Sequence, residues 1–315
     1  DGENGLNTGL ADLTLNGPVN ILSGGILSTG GTISFGAGAG ETSFANGMSG
    51  MLMKDSTLDL QTDLSVSWLE LSGESASFSS NGNTLKISNG LDIGGVELDF
   101  TDITTDNETY LNLVSDASLT KTGGLTLRQI DLKGYTLTLN QNITSLTANN
   151  IYFPDFNDSS PNYMLNTGKF KAEGVAVILR KMMYLNTGTM VMGGGKLTLE
   201  KGGFLQENAE LDLTDSTLEL AGPFYNSQAA GTLTTSASTL SLKSNVKFEP
   251  GNNATFETYE PNGWGMVLHN DAENSSEIIN LTLGTTGVDL TIEPNTESLT
   301  SGFVNYYSNE DGAVL

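Results

Sequence analysis

The sequence predicts an all-β protein, a right-handed parallel β-helix (solenoid) with coils of roughly 21–29 residues. Three observations predict it. A Leu-x-Leu unit with a polar centre recurs along the 315 residues, as in Leu58-Asp59-Leu60 and Leu218-Glu219-Leu220. These units return at long, nearly constant intervals. Turn-forming pairs break the chain between them: Gly94-Gly95, Gly123-Gly124, Asn81-Gly82, Asp55-Ser56 and Asp215-Ser216.

The alternation is the period-2 signature of a strand with one buried face. Leu58, Leu85, Leu111 and Leu137 open units separated by 27, 26 and 26 positions. Leu69, Val96 and Leu125 form a second series, separated by 27 and 29. Leu197, Leu218 and Leu240 follow at 21 and 22. Interleaved series that share a period predict a coil. An antiparallel sandwich also repeats short strands about every 8–12 residues, but nothing in it would hold two series to one longer period. At about 4.8 Å per coil, roughly twelve or thirteen coils stack into a rod on the order of 60 Å long. Leu, Ile and Val point inward. Asp59, Glu70, Lys86, Glu97, Thr126, Thr138, Thr198, Glu219 and Ser241 point outward.

Residues 1–315 read as a single β-helix domain with an irregular insertion around 152–185. Residues 152–164 contain two Pro and read as a protruding loop. Lys169, Lys171, Arg180 and Lys181 surround the run Val175 to Leu179, which reads as a strand in preference to a short helix. The basic cluster either pairs with acidic neighbours or docks an acidic partner copy. The terminal segments 10–22 and 301–315 are strand-capable, and neither end carries an amphipathic capping helix. Their apolar residues, Leu13, Leu15, Val19, Ile21, Phe303, Val304, Tyr306 and Tyr307, are the candidate assembly contacts, because open solenoid ends are templates for another chain.

Thirteen Lys and Arg stand against 37 Asp and Glu, a formal charge of -24. That balance argues against a nucleic-acid partner and against an anionic membrane surface. A run of about 18 apolar residues is absent, so membrane insertion as a helix is not expected. The chain has no Cys, which is compatible with an extracellular protein long enough to bury its own core. Asp1-Gly2-Glu3-Asn4 shows no signal-peptide pattern, so a secretion signal is expected to have been removed or to lie elsewhere.

Catalytic signals are weak, and no enzyme is expected. The one His, His269, rules out HExxH zinc chemistry, and no Gly-x-Ser-x-Gly elbow exists. Gly36-Ala-Gly-Ala-Gly-Glu41 and Gly193-Gly-Gly-Lys-Leu197 lack the residues of nucleotide loops and read as turns. Asp102 and Asp106, and Asp155 and Asp158, offer oxygen ligands suited to Ca²⁺. Solvated loop acids are the alternative reading there. Trp264 either presents a ring to a sugar or pins its loop. No other cofactor is expected.

Gly82-Asn-Thr-Leu-Lys-Ile87, Gly134-Tyr-Thr-Leu-Thr-Leu-Asn140 and Ser216-Thr-Leu-Glu-Leu-Ala-Gly222 resemble the coils of bacterial autotransporter passengers and related surface adhesins. The resemblance covers roughly residues 55–150 and 190–295. It implies a secreted β-helix displayed at the bacterial cell surface, and it brings no functional residue with it. The leading expectation is an extracellular homopolymer, assembled head to tail through strand contacts. The alternatives are a monomeric adhesin rod that binds surface glycans or other cells, and a glycan-degrading β-helix. Such lyases resemble this fold class and often combine Ca²⁺ with a basic residue, for which only Arg128 and Arg180 are the available Arg.

Overall fold

A computed structural model of the chain describes residues 6–17, 20–21, 25–39, 43–44, 50–105, 108–140, 142–152, 168–185, 187–206, 208–226, 231–249, 253–268, 280–283 and 290–292. Among them there is no helix, and parallel strands stack in about 10 turns of a β-solenoid. The expected fold class forms, with fewer turns in the described residues than the twelve or thirteen anticipated. The chain divides into two compact units, Asp1–Ile143 and Thr144–Leu315.

In the first unit a long sheet runs through Leu6–Gly9, Ile26–Ser28, Gly50–Lys54, Leu64–Ser72, Leu85–Gly94, Tyr110–Leu113 and Gln129–Asp131. A second sheet joins Leu13–Leu15, Thr32–Phe35, Thr57–Leu60 and Ser77–Ser79. A third contains Glu97–Asp99, Ala117–Thr120 and Thr136–Leu139. Inside the long sheet, Ile26, Met51, Leu69, Leu91, Leu111 and Ile130 stand in one register column. All six are buried. Full burial of an aliphatic side chain contributes about 1.5–3 kcal/mol, so such columns are the main source of stability in a fold whose single coil has no core of its own.

The second unit has three faces per coil. One sheet contains residues 145–148, then Ala176–Leu179, Lys196–Leu199, Thr217–Leu220, Thr239–Leu242 and Thr258–Glu260. Another contains Met183–Leu185, Gly203–Leu205, Phe224–Asn226, Val246–Glu249, Met266–Leu268 and Leu290–Ile292. The third holds Lys169–Lys171, Gly188–Val191, Ala209–Asp212 and Thr232–Thr234. Leu197, Leu218 and Leu240 stack in register as their spacing predicts. Phe224 and Phe248 stack inside at 5.6 Å between ring centroids, and Phe256 meets Phe248 edge-on at 6.1 Å. The expected strand over 175–179 forms as Ala176–Leu179, with Val177 and Leu179 buried. Of the stretch expected to be irregular around 152–185, residues 169–185 therefore carry three ordinary strands. Residues 153–167 lie outside the described residues.

The first-half spacing is not the coil length. Leu58 pairs with Ile33 and Phe78, Leu85 with Leu64 and Ile103, Leu111 with Leu91 and Ile130, and Leu137 with Ala117. Members of that series do not stack on one another. From Leu69 to Leu91 the true step is 22 residues, and from Leu91 to Leu111 it is 20. The longer spacing advances one coil and one face together, because every face carries the same Leu-x-Leu unit.

The turn echo has a structural basis. Asp55, Asp215 and Ala237 have φ of 50°, 57° and 52°, and each precedes a buried Ser. Ser56, Ser216 and Ser238 turn their Oγ back to donate to the carbonyls of Lys54, Thr214 and Thr235. The hydroxyl is satisfied inside the corner, and a Thr-Leu strand start follows each time. Asn81 and Asn262, also at positive φ, use a second device. Their Nδ2 atoms donate to the carbonyls of Leu60 and Leu242 on the preceding coil, at 2.9 and 3.1 Å.

Candidate functional site

Leu6–Gly9 and Leu13–Leu15 form, among the described residues, the outermost coil of the first unit. Among the described residues, Leu6–Gly9 pairs only with Ile26–Ser28, and Leu13–Leu15 only with Thr32–Phe35. Parallel pairing fills one side of a strand and leaves the other row of N–H and C=O groups able to accept a further strand. The side chains change in step. Ile33 and Phe35 are 0% exposed, whereas their register partners Leu13 and Leu15 are only half-buried. Leu6 and Leu10 are 49% and 78% exposed. Asp12 fixes the corner by accepting from the Thr32 N–H at 2.8 Å.

Among the remaining assembly candidates, Ile21 lies in the short strand Asn20–Ile21, which pairs with Ser43–Phe44. Val19, Phe303, Val304, Tyr306 and Tyr307 lie outside the described residues, as does His269. Of the four candidate calcium ligands, only Asp102 lies within the described residues. Asp102 accepts a hydrogen bond from Ser80 Oγ, while Asp106, Asp155 and Asp158 lie outside the described residues. Among the described residues no group of three or more His, Cys, Asp or Glu side chains is placed to hold a metal ion.

Charge is unevenly distributed. Eight of the 13 Lys and Arg and eight of the 37 acids fall between residues 169 and 249. That stretch is formally neutral, and the rest of the chain carries the whole -24. The four-residue basic cluster splits between two faces. Lys169 and Lys171 sit on the strand Lys169–Lys171, and Arg180 and Lys181 are exposed in the turn after Ala176–Leu179.

Three outward positions, Thr198, Glu219 and Ser241, are buried where exposure was expected. Lys196 from the coil before and Lys243 from the coil after close on Glu219, with N–O distances of 2.5 and 2.6 Å, and Thr198 donates to it at 2.9 Å. Burial works against ionisation of Glu219, but the hydrogen bonds from Lys196, Lys243 and Thr198 outweigh it and hold the carboxyl below its ordinary value. Asn262 reaches Ser241 Oγ at 3.0 Å. Arg128 is engaged as well, paired with Glu108 at 2.5 Å and lying 4.8 Å from the Tyr110 ring centroid.

Sequence reasoning missed an aromatic column. Tyr184, Phe204 and Tyr225 are register partners on the outer side of one sheet of the second unit. Their rings stack at 5.3 and 4.9 Å. The signal was present as intervals of 20 and 21 residues, but it shows only once coils are aligned face by face. Trp264 is 43% exposed in the turn after Thr258–Glu260. No family model, curated protein or solved structure matches the chain.

Proposed function

We propose that this is an extracellular structural protein of the type of bacterial autotransporter passengers and surface adhesins, assembling with copies of itself by strand addition at the coil edge. The observation that carries the reading is the half-open column end at Leu13 and Leu15 beside the exposed Leu6 and Leu10. A strand laid against Leu6–Gly9 and Leu13–Leu15 would satisfy the outer backbone groups and cover these side chains. Contacts of this kind are head to tail, and they propagate where the rotation does not close into a ring. Ion pairs of the Glu219 kind and an acidic surface suit a protein that must stay soluble until its ends meet.

Light scattering over a concentration series tests the proposal. Mean particle size should grow with concentration for the natural sequence. It should stay at the monomer value for a Leu13→Glu, Leu15→Glu variant whose circular dichroism is unchanged. A natural chain that keeps one size throughout, or a variant that grows equally, would remove the reading.

A further inference from the structure

The outer side of the long sheet in the first unit contains a setting found on no other described face. Its register column runs Gly50, Trp68, Gly90, Tyr110. The Trp68 indole spreads over both neighbouring glycines. A Cβ on Gly50 would lie 2.7 Å from Trp68 Cε3, and one on Gly90 would lie 2.7 Å from Cδ1. Both distances are shorter than any side chain tolerates, so the ring occupies its place only because two coils omit theirs. The ring is nevertheless not sealed, since Trp68 is only half-buried.

The backbone is altered at the same point. Ile87 to Gly90 faces Val66 to Trp68, so the upper coil carries an extra residue and the register shifts. Ser88 and Asn89 are thrown outward and exposed. Bulges re-aim side chains and are enriched beside functional sites. A second column, two residues along, runs Glu70, Asp92, Asn112, Asp131. Asn112 Nδ2 donates to Asp92 at 2.6 Å, and Ser72 Oγ donates to Glu70 at 2.8 Å. Glycine inside a strand gives no side chain to pack and often marks a close approach, and here both glycines make room for one exposed-side ring.

We propose that Trp68, with Glu70, Asp92 and Asn112 beside it, binds a neutral glycan chain lying along the coil axis. An indole offers an apolar face to the C–H side of a pyranose, while carboxylate and amide oxygens accept from its hydroxyls. The occupant follows from the charge of the face. Glu70, Asp92 and Asp131 present acceptors and negative charge, which match hydroxyl donors and repel uronate or sulfate groups. Tyr110, two coils from Trp68, carries the Arg128 guanidinium over its ring at 4.8 Å, and Glu108 pairs with that cation, so the aromatic contact to the glycan rests on Trp68. This site is on a flank and does not depend on strand addition at the coil edge, so either idea can fail without the other.

The test uses the full chain carrying Trp264→Phe, which leaves Trp68 as the sole Trp, excited at the red edge where Tyr does not absorb. Hexasaccharides of cellulose, chitin, mannan and xylan are titrated beside hexagalacturonate. At least one neutral probe should shift Trp68 emission saturably, and hexagalacturonate should not. In calorimetry, Trp68→Ala should weaken that binding at least tenfold with unchanged circular dichroism. If that variant misfolds, a Glu70→Gln, Asp92→Asn pair should weaken it instead. Silence from all four neutral probes, equal binding of the uronate, or affinity that survives in a folded variant would overturn the proposal.

Discussion

In the second unit, Lys196–Leu199, Thr217–Leu220 and Thr239–Leu242 follow one another with the same length and in unbroken register. In the first unit, Leu64–Ser72 and Leu85–Gly94 run to 9 and 10 residues, bend across two faces and are offset by a bulge. The regular unit places like on like, with Phe224 on Phe248 inside and Tyr184, Phe204 and Tyr225 outside. The irregular unit places unlike residues together, with Trp68 between glycines. Strict repetition yields rows, which favour stability. A local departure from it is needed to make a place that differs from its neighbours.

If that contrast is correct, the largest losses should come from interrupting a row. Phe248→Ala removes a ring that contacts both Phe224 and Phe256. It should cost about 3–5 kcal/mol in chemical denaturation. A loss below 1 kcal/mol would mean that the stacked interior is slack and that the two units do not differ as described.

The irregular unit is probed from the opposite direction, by adding atoms. Gly50→Ala would place a Cβ 2.5 Å from the Trp68 backbone oxygen, which cannot swing aside. The expected cost is about 1–3 kcal/mol. At Gly90 the obstruction is the Trp68 side chain alone, so Gly90→Ala should cost less and should displace Trp68 emission. Equal costs at the two glycines would contradict the socket geometry.

Electrostatics sharpen the comparison further. The folded Glu219 titrates below its ordinary value of 4.5, because hydrogen bonds from Lys196, Lys243 and Thr198 prevail over burial. Its contribution is therefore fully present above the unfolded pKa and is lost as pH falls through the folded value. Glu219→Gln should lower stability at neutral pH and flatten the acid limb of the stability curve near and below pH 4.5. An unchanged acid limb would show that the two lysines do not grip the carboxylate in solution.

The smallest effect is a gain. Ala237 holds a left-handed φ of 52° that Asp55 and Asp215 occupy at the equivalent corners. A side chain in that region costs about 1–2 kcal/mol, partly offset in glycine by chain entropy. Ala237→Gly should raise the denaturation midpoint by the equivalent of about 0.5–1 kcal/mol. A loss of stability would mean that the corner is held by something other than its backbone.

Much of the fold was legible because Leu-x-Leu alternation and Asp-Ser corners report strand and turn directly. The coil length in the first half was not. Leu58, Leu85 and Leu111 carry the same unit on different faces, and an interval cannot say whether it has advanced along the axis or around it. The aromatic column and the Trp68 socket were hidden for the same reason, since each is a relation between coils. The coil edge was legible in part. Leu13 and Leu15 read as terminal strand residues, but their partial exposure beside a fully buried neighbour is a fact of packing.

The pairing of Leu197 with Leu218 and of Lys196 with Thr217 has a consequence for how such a chain can change its size. Excising residues 197–217 would join Lys196 directly to Leu218, with the inside and outside of the strand still in phase. Whole repeats can thus be lost or gained by unequal exchange between similar stretches of a gene, with no compensating change elsewhere. Length becomes a heritable variable that moves in quanta, and selection can adjust reach without reinventing the interior.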